Sequence, residues 1–342
     1  MAKTRFAIIG AGTHAKASHY RDPGLRHCPD EIELCAACDL DAEKLALVAE
    51  EFAVPAVYTD FREMIAKEQP DATVIVLPPT LLADMACACL ELGQHVIVEK
   101  PPGCNWTETQ RILDTATACE RKAAASLDRR FFPVTQLLKQ KLDPSKINHF
   151  SMSYNKGLFG WGAPTNLFTA DAIHLVDLFL HLGGKVEEVH AYASRKGEPH
   201  LRSFSGVMKL AAGGVGTFNC HYSHPAGRHG RRQLFEVTSD GFSAYLDLGP
   251  TMAESPYGGT GSIIDGTDEL PVEQYFATVA GEPPPEASSE MLDFARYLRG
   301  EASAIASLED IIETVKVTEA IAAGYRGKLA DFKPCFDRTN AP

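Results

Sequence analysis

No apolar stretch in this 342-residue chain approaches the roughly 18–20 residues that a bilayer-spanning helix needs, which excludes a helical membrane protein. Basic residues are also in short supply. The 33 Lys and Arg stand against 45 Asp and Glu, a formal net charge of −12, and a chain this acidic repels a phosphate backbone, so nucleic acid is excluded as a partner. Met1-Ala2-Lys3-Thr4-Arg5 leads straight into a strand-like run with no signal-peptide core or cleavage site, so a cytoplasmic location is expected. An even set of cysteines is missing as well. Nine of them, scattered through strand- and helix-like segments, read as buried thiols in a reducing compartment rather than a disulfide framework. Metal-ligand spacing is lacking. Cys35-x-x-Cys38 lies within a strand-like run, where an odd offset sends the thiols to opposite faces, and Cys87-x-Cys89 lies within a helix. His221, His224 and His229 have no acidic or thiol partner at ligand spacing, so no metal is expected. There is no internal repeat.

What remains is ordinary globular composition, 45% hydrophobic and 23% charged, at a length that suits about two domains. Phe6-Ala7-Ile8-Ile9 is a β-rich run that ends in Gly10-Ala11-Gly12, with a helical segment following to about Tyr20. Ile32 to Cys38 reads as a second strand. The helix behind it places Leu45, Val48, Ala49 and Phe52 at i, i+3, i+4, i+7. Asp71 to Leu77 is a third strand, stopped by Pro78-Pro79. A helix through Leu82, Met85, Ala86 and Cys89 ends at Gly93 and gives way to His95-Val96-Ile97-Val98. Strands alternating with helices at this spacing predict an α/β fold, a parallel doubly wound Rossmann sheet that binds its ligand at the carboxyl ends of the strands.

Beyond about residue 123 the rhythm changes to β-rich runs near 147–155, 186–194, 203–212, 215–222, 232–238 and 242–248, with a hairpin signal at Gly213-Gly214. A helix from about Ala172 to Leu182 is set among them. The expected division is a Rossmann domain over 1–123 and an α+β domain with a predominantly antiparallel open sheet over 124–342. Residues 251–289 are rich in Gly, Pro, Ser and Thr and are expected to form a long loop; two helices near 288–299 and 307–324 close the chain. The strand at 215–222 sends Phe218, Cys220 and Tyr222 to one face and Val215, Thr217, Asn219 and His221 to the other. An open face of that kind must be solvated or covered by another subunit.

Gly10-Ala11-Gly12-Thr13-His14-Ala15 is G-x-G-x-x-A between a strand and a helix. The first glycine permits the tight turn, the second lets backbone amides approach a pyrophosphate, and the small third residue lets helix and strand pack closely. Asp39 ends the second strand, where a carboxylate accepts hydrogen bonds from ribose hydroxyls and repels a 2′-phosphate. No arginine follows it, so NAD is favoured over NADP. A helix-capping role for Asp39 or Asp41 is the structural alternative, compatible with the first. The strand-end residues Leu77, Pro78, Pro79, Glu99 and Lys100 complete the expected cofactor site.

At His95-Val96-Ile97-Val98-Glu99-Lys100-Pro101 the sequence resembles the glucose-fructose oxidoreductase, inositol dehydrogenase and MocA (Gfo/Idh/MocA) family. The resemblance spans nearly the whole chain through the glycine turn, Pro78-Pro79, Arg129-Arg130-Phe131, Ala172-Ile173-His174-Leu175-Val176-Asp177 and Ser307-Leu308-Glu309-Asp310. It implies that Lys100 sits between nicotinamide and substrate, where an ammonium stabilises a developing alkoxide. It implies further that His174 exchanges the hydroxyl proton. Two positions depart from the pattern. Many members carry an aspartate four residues before the histidine, whereas position 170 is alanine, and Asp171 either substitutes for it or caps the helix. Leu82 stands where many members have a histidine, which leaves the nicotinamide pocket more apolar. Arg129 and Trp161 are further substrate-binding candidates, Trp161 by stacking on a sugar face. Arg228, Arg231 and Arg232 are either an anion site or a basic turn.

The implied activity is transfer of a hydride between NAD(P) and a secondary hydroxyl or ketone of a sugar, cyclitol or derivative, by a homodimer or homotetramer. The alternatives are a redox-neutral NAD-dependent glycoside-cleaving enzyme and a non-catalytic dinucleotide-binding regulator.

Overall fold

The computed structural model describes residues 3–155, 171–194, 203–222, 232–249 and 255–334. Trp161, His224, Arg228, His229 and Arg231 lie outside these residues. In chain order the first elements are β1 (Thr4–Ile9), α1 (Thr13–Ser18), α2 (Pro23–His27), β2 (Ile32–Cys38), α3 (Ala42–Phe52), β3 (Val57–Tyr58), α4 (Phe61–Glu68), β4 (Ala72–Ile75), α5 (Pro79–Glu91), β5 (His95–Val98), α6 (Trp106–Ala118) and β6 (Ala123–Ala125). There follow α7 (Pro133–Lys141), β7 (Ile147–Asn155), α8 (Ile173–Gly183), β8 (Val186–Ser194), β9 (Ser203–Leu210), β10 (Val215–His221), β11 (Arg232–Ser239), β12 (Phe242–Asp247), β13 (Thr260–Asp265), β14 (Asp268–Pro271) and α9 (Val272–Tyr275). The chain closes with α10 (Glu290–Leu298), β15 (Ala306–Ser307), α11 (Leu308–Ala322) and β16 (Arg326–Lys328).

Two compact units result, one of residues 1–128 with 285–312 and the other of 129–284 with 313–342. This differs from a single cut at 123/124, because the segment after residue 284 returns to the first unit. There β15 pairs antiparallel with β6, Ala306 opposite Ala125. The buried carboxylate of Asp22 accepts hydrogen bonds from the Ser289 hydroxyl and, at 3.0 Å, from the Met291 amide.

The first unit is a seven-stranded sheet in the order β15-β6-β5-β4-β1-β2-β3, parallel from β6 to β3. The order reverses between β1 and β4, and in doubly wound sheets ligands bind outside the strand ends at such a reversal. Its central strands are apolar throughout because helices cover both faces, as Ile8, Val74 and Ile97 with no exposed surface show. Polar caps start the helices. Asp41, Asp60 and Asn105 accept from first-turn amides of α3, α4 and α6. Gly93, at φ 83°, ends the segment after α5 in the left-handed region.

The second unit is a nine-stranded sheet, β14-β13-β12-β11-β7-β10-β9-β8-β16, antiparallel except for β7 with β10. Gly213, at φ 103°, turns the β9–β10 hairpin. Along β10 the alternation holds: Phe218 and Cys220 are buried, Val215 is 41% exposed. Helix α8 packs on the inner face, its Phe179 ring 4.8 Å from Phe150. A Cβ at Gly216 would collide with that Phe179 ring, so the strand beneath the helix needs glycine there. Residues 255–280 correct the expected loop, since they form β13, β14 and α9. Ile263 and Val272, both fully buried, anchor these elements to the core. The Gly and Ser content reflects tight turns between short strands rather than a long excursion.

Candidate functional site

In the first unit, four strand ends carry the expected cofactor residues. The turn after β1 uses Gly10 at φ 116°, where any side chain would strike the Val76 carbonyl oxygen. The Gly10 amide donates to the Cys38 carbonyl at 2.7 Å, which ties β1 to the end of β2. Gly12 is different. A Cβ there would meet no protein atom within 4 Å, so the space beside Gly12 is open. Thr13 and His14 are exposed at the start of α1, and Ala15 is buried against the sheet.

Asp39 anchors this turn. One carboxylate oxygen accepts from the Ala11 amide at 2.8 Å and the other from the Asp41 amide at 2.9 Å. The N-cap of α3 is Asp41, not Asp39. The carboxylate therefore fixes the glycine turn and keeps lone pairs for further donors, which is compatible with a ribose. Leu77 is half-buried, Pro78 is exposed, and Pro79 opens α5. Leu82 has no exposed surface. It serves the core, so it does not line an apolar pocket as the sequence suggested.

Glu99 and Lys100 follow β5. The Glu99 side chain is buried and its oxygens are taken by the protein: Oε1 accepts from His14 Nε2 at 2.7 Å and from His19 Nε2 at 3.0 Å, and Oε2 from the Lys100 amide at 2.8 Å. Burial would push this carboxyl up, but the two histidine hydrogen bonds outweigh it and hold it well below the usual range. The same bond raises His14 above its ordinary value, against the opposing effects of burial and the Lys100 charge. On the far side of His19, Nδ1 lies 3.8 Å from Glu290 Oε2. Glu290 is raised well above the carboxylate range, first by burial and then by the charges of Glu99, Asp22 and Asp128. His19 and Glu290 were not candidates from the sequence. Nothing local marks them, because their partner is 80 residues away in one case and they meet only through the fold.

In the second unit, His174 and Asp171 are both buried, 8% and 9% exposed. Asp171 and Ala172 form π-helical backbone that runs into α8, and the N-cap of α8 is Ala172, without a side-chain cap. Its charge acts on the buried Tyr222 phenol, which burial, the larger effect, pushes well above its ordinary value. Asp177, the acid of the Ile-His-x-x-Asp motif, is structural. Both its oxygens face Arg130, at 2.8 Å from Nε and 2.6 Å from Nη2, in a fully buried bidentate pair. Arg129 is buried too. Its Nε donates to Gln233 Oε1 at 3.1 Å and its guanidinium lies 4.9 Å from the centre of the Phe132 ring.

Comparison with known proteins extends this picture. Residues 4–126 match the family model GFO_IDH_MocA, described as an oxidoreductase family with an NAD-binding Rossmann fold. The chain is similar to the 4-carboxy-2-hydroxymuconate-6-semialdehyde dehydrogenase of Sphingobium, 27% identical over 197 residues, 55% of this chain and 61% of that one. It is also similar to the D-glucoside 3-dehydrogenase of Escherichia coli, 27% identical over 184 residues, 52% of this chain and 51% of that one. The matched stretch thus spans less than two thirds of either relative. Among solved structures it shares its fold with the WlbA dehydrogenase of Chromobacterium violaceum, crystallised with NADH and UDP-GlcNAcA, at a TM-score of 0.75 and 19% identity over 96% of both chains.

Proposed function

Through residues 4–126 this chain belongs to the Gfo/Idh/MocA oxidoreductase family, and from that premise we propose that it transfers a hydride between NAD(H) and a secondary hydroxyl or ketone of a sugar, cyclitol or related derivative. The observation that carries the cofactor half is the glycine turn. Open space stands where a Gly12 side chain would be, beside a turn whose amide is fixed by Asp39. These residues fit a dinucleotide. When bound, the nicotinamide supplies the hydride acceptor or donor at C4.

The chain's own residues do the rest. Asp39 hydrogen-bonds the ribose hydroxyls and disfavours a 2′-phosphate, hence a preference for NAD over NADP. Thr13, His14, Leu77 and Pro78 line the cofactor, and the Glu99 carboxylate holds His14 and the Lys100 backbone in place. The Lys100 ammonium hydrogen-bonds the reacting hydroxyl and stabilises the negative charge that grows on its oxygen. His174 takes up the hydroxyl proton in oxidation and returns it in reduction. Asp171 substitutes for the aspartate absent at Ala170. Arg129 and Trp161 are proposed to face the remote part of the substrate, with Arg129 first having to leave Gln233.

The sugar reading draws on the name of the Escherichia coli relative. The same reading includes a cytoplasmic homodimer or homotetramer, covered on the outer sheet face where Tyr192, Val207, Val215 and Tyr245 are exposed. A panel of sugars and cyclitols incubated with NAD⁺ and with NADP⁺ tests it. Reduced nicotinamide should form in step with a ketone product. Product without reduced nicotinamide would favour the redox-neutral alternative, and binding without turnover on the whole panel the regulator.

A further inference from the structure

We propose that His14, His19 and Glu99 form a binding site for one divalent transition-metal ion of the zinc class. Among the described residues, these three offer ligand atoms that all lie within 4.8 Å of one another. Both imidazole Nε2 atoms already aim at one point, Glu99 Oε1, from 2.7 and 3.0 Å, with the rings set edge to face at 84°. Zinc bonds of roughly 2.0–2.2 Å in a tetrahedral site place neighbouring ligand atoms about 3.3 Å apart. To admit an ion the carboxylate withdraws by a few tenths of an ångström from each imidazole, and the two ring nitrogens, within 4.8 Å of each other, draw together to the same spacing.

The surroundings favour a cation. Glu99 Oε2 is held by the Lys100 amide at 2.8 Å, which orients Oε1 towards the imidazoles. Behind His19, Nδ1 faces Glu290 Oε2 at 3.8 Å, and that oxygen accepts from Ser126 Oγ at 2.9 Å. At 3.8 Å Glu290 is too far to hydrogen-bond Nδ1 as it stands, and a shift of about 0.8 Å would bring it to the outer position that orients metal-bound imidazoles. The other Glu290 oxygen is buried with no hydrogen-bond partner. Glu290 also lies within electrostatic range of Glu99, Asp22 and Asp128. The Lys100 ammonium acts on His14 as an opposing charge.

Two imidazoles and one carboxylate suit Zn²⁺ or Co²⁺ better than Ca²⁺ or Mg²⁺, which prefer all-oxygen sites. His19 and Glu99 are buried while the His14 side chain is 47% exposed, so a fourth position opens on the His14 side for water or an incoming donor. On binding, each Nε2 proton is displaced: it moves to Nδ1 in a neutral ring or leaves to solvent from a charged one, and the metal–nitrogen bonds replace the hydrogen bonds to Glu99. The ion would tie the glycine turn to the end of β5.

The test uses tag-free full-length protein, stripped with a chelator and titrated with Co²⁺ in the absence of nicotinamide cofactor. One equivalent should bind per chain, give visible d–d bands without a thiolate charge-transfer band, and be displaced by Zn²⁺. Zn²⁺ should raise the melting temperature. His14→Ala, an exposed position that should leave folding intact, should weaken binding by about tenfold or more and abolish the thermal shift. Glu99→Gln, with its fold checked by circular dichroism, should do the same. Substoichiometric uptake, a thiolate band arising from any of the cysteines, or wild-type affinity in His14→Ala would overturn the proposal and leave the cluster as a hydrogen-bonded clamp. Neither result depends on dehydrogenase activity.

Discussion

At the scale of single residues, the account separates groups that hold the site from groups that react. Asp39 holds two backbone amides and Glu99 two imidazoles and an amide, whereas Lys100 and His174 are the proposed reacting pair. Lys100→Met should lower kcat by roughly a hundredfold or more while NAD affinity changes little, because the lost interaction belongs to the transition state. Asp39→Ala should narrow the preference for NADH over NADPH in fluorescence titrations, since it removes the repulsion of a 2′-phosphate. It should also loosen the glycine turn, so absolute affinity for both falls. Equal affinities in the wild-type chain would sink the NAD preference.

A different residue sets an acid limit on stability. His181, near the end of α8, is pushed down to about 3 by burial first, then by Arg130 and Lys139. A folded value below the ordinary 6.5 means that the neutral ring contributes stability that is fully present above pH 6.5 and lost as pH falls toward 3. The slope for one proton is about 1.4 kcal/mol per pH unit. His181→Gln should flatten that part of the urea-unfolding free energy against pH; an unchanged slope would contradict the assignment.

At the scale of elements, the Asp22–Ser289 contact is one of several polar ties of the returning segment to the first unit, beside Ser126–Glu290 and Glu31–Arg299. Asp22 caps α2 through the Gly24 amide at 2.8 Å and also receives Ser289 and Met291. Ser289 caps α10 through the Leu292 amide at 3.1 Å. Ser289→Ala removes a cap and strips a buried carboxylate of a donor, so it should cost about 2–3 kcal/mol in unfolding free energy. A loss below about 0.5 kcal/mol would mean that the segment's other contacts hold it without this cap.

The elements were largely legible in the sequence for a physical reason. Fully apolar runs such as Val96-Ile97-Val98, and alternating ones such as Phe218-Asn219-Cys220, report burial on both faces or on one. The amphipathic helices α4, α6 and α7 went unread despite their buried faces, and other elements lacked any such pattern. The strand Ala306–Ser307 is two residues long, and β13 and β14 hide in a Gly- and Ser-rich stretch because their turns, not their strands, dominate its composition. The site was half legible. Gly10 and Asp39 are marked by spacing along the chain, and Lys100 by the family resemblance of Glu99-Lys100-Pro101. The partners of Glu99 are not, since His14 and His19 lie 85 and 80 residues away. Asp177 is marked in the sequence only through the family resemblance, and an acid on a helix cannot reveal from sequence that a buried arginine claims it.

At the scale of the whole molecule, the net charge of −12 and the nine-stranded sheet bear on assembly. The outer sheet face exposes Tyr192 at 65% and Tyr245 at 42%, apolar surface that a second copy would cover. Light scattering at micromolar protein should give a dimer or tetramer mass; a value near 37.1 kDa would refute the proposed assembly.

The central claim, hydride transfer assisted by Lys100 and His174, is tested most directly by one comparative assay. Wild-type, Lys100→Met and His174→Ala chains are mixed with NAD⁺ and a panel of sugars and cyclitols, and reduced nicotinamide is followed by absorbance. The account predicts NADH in stoichiometry with ketone for the wild type on at least one substrate, and rates lower by about a hundredfold in both variants. Near-normal turnover in either variant, or no NADH from the wild type on the whole panel despite tight cofactor binding, would contradict it.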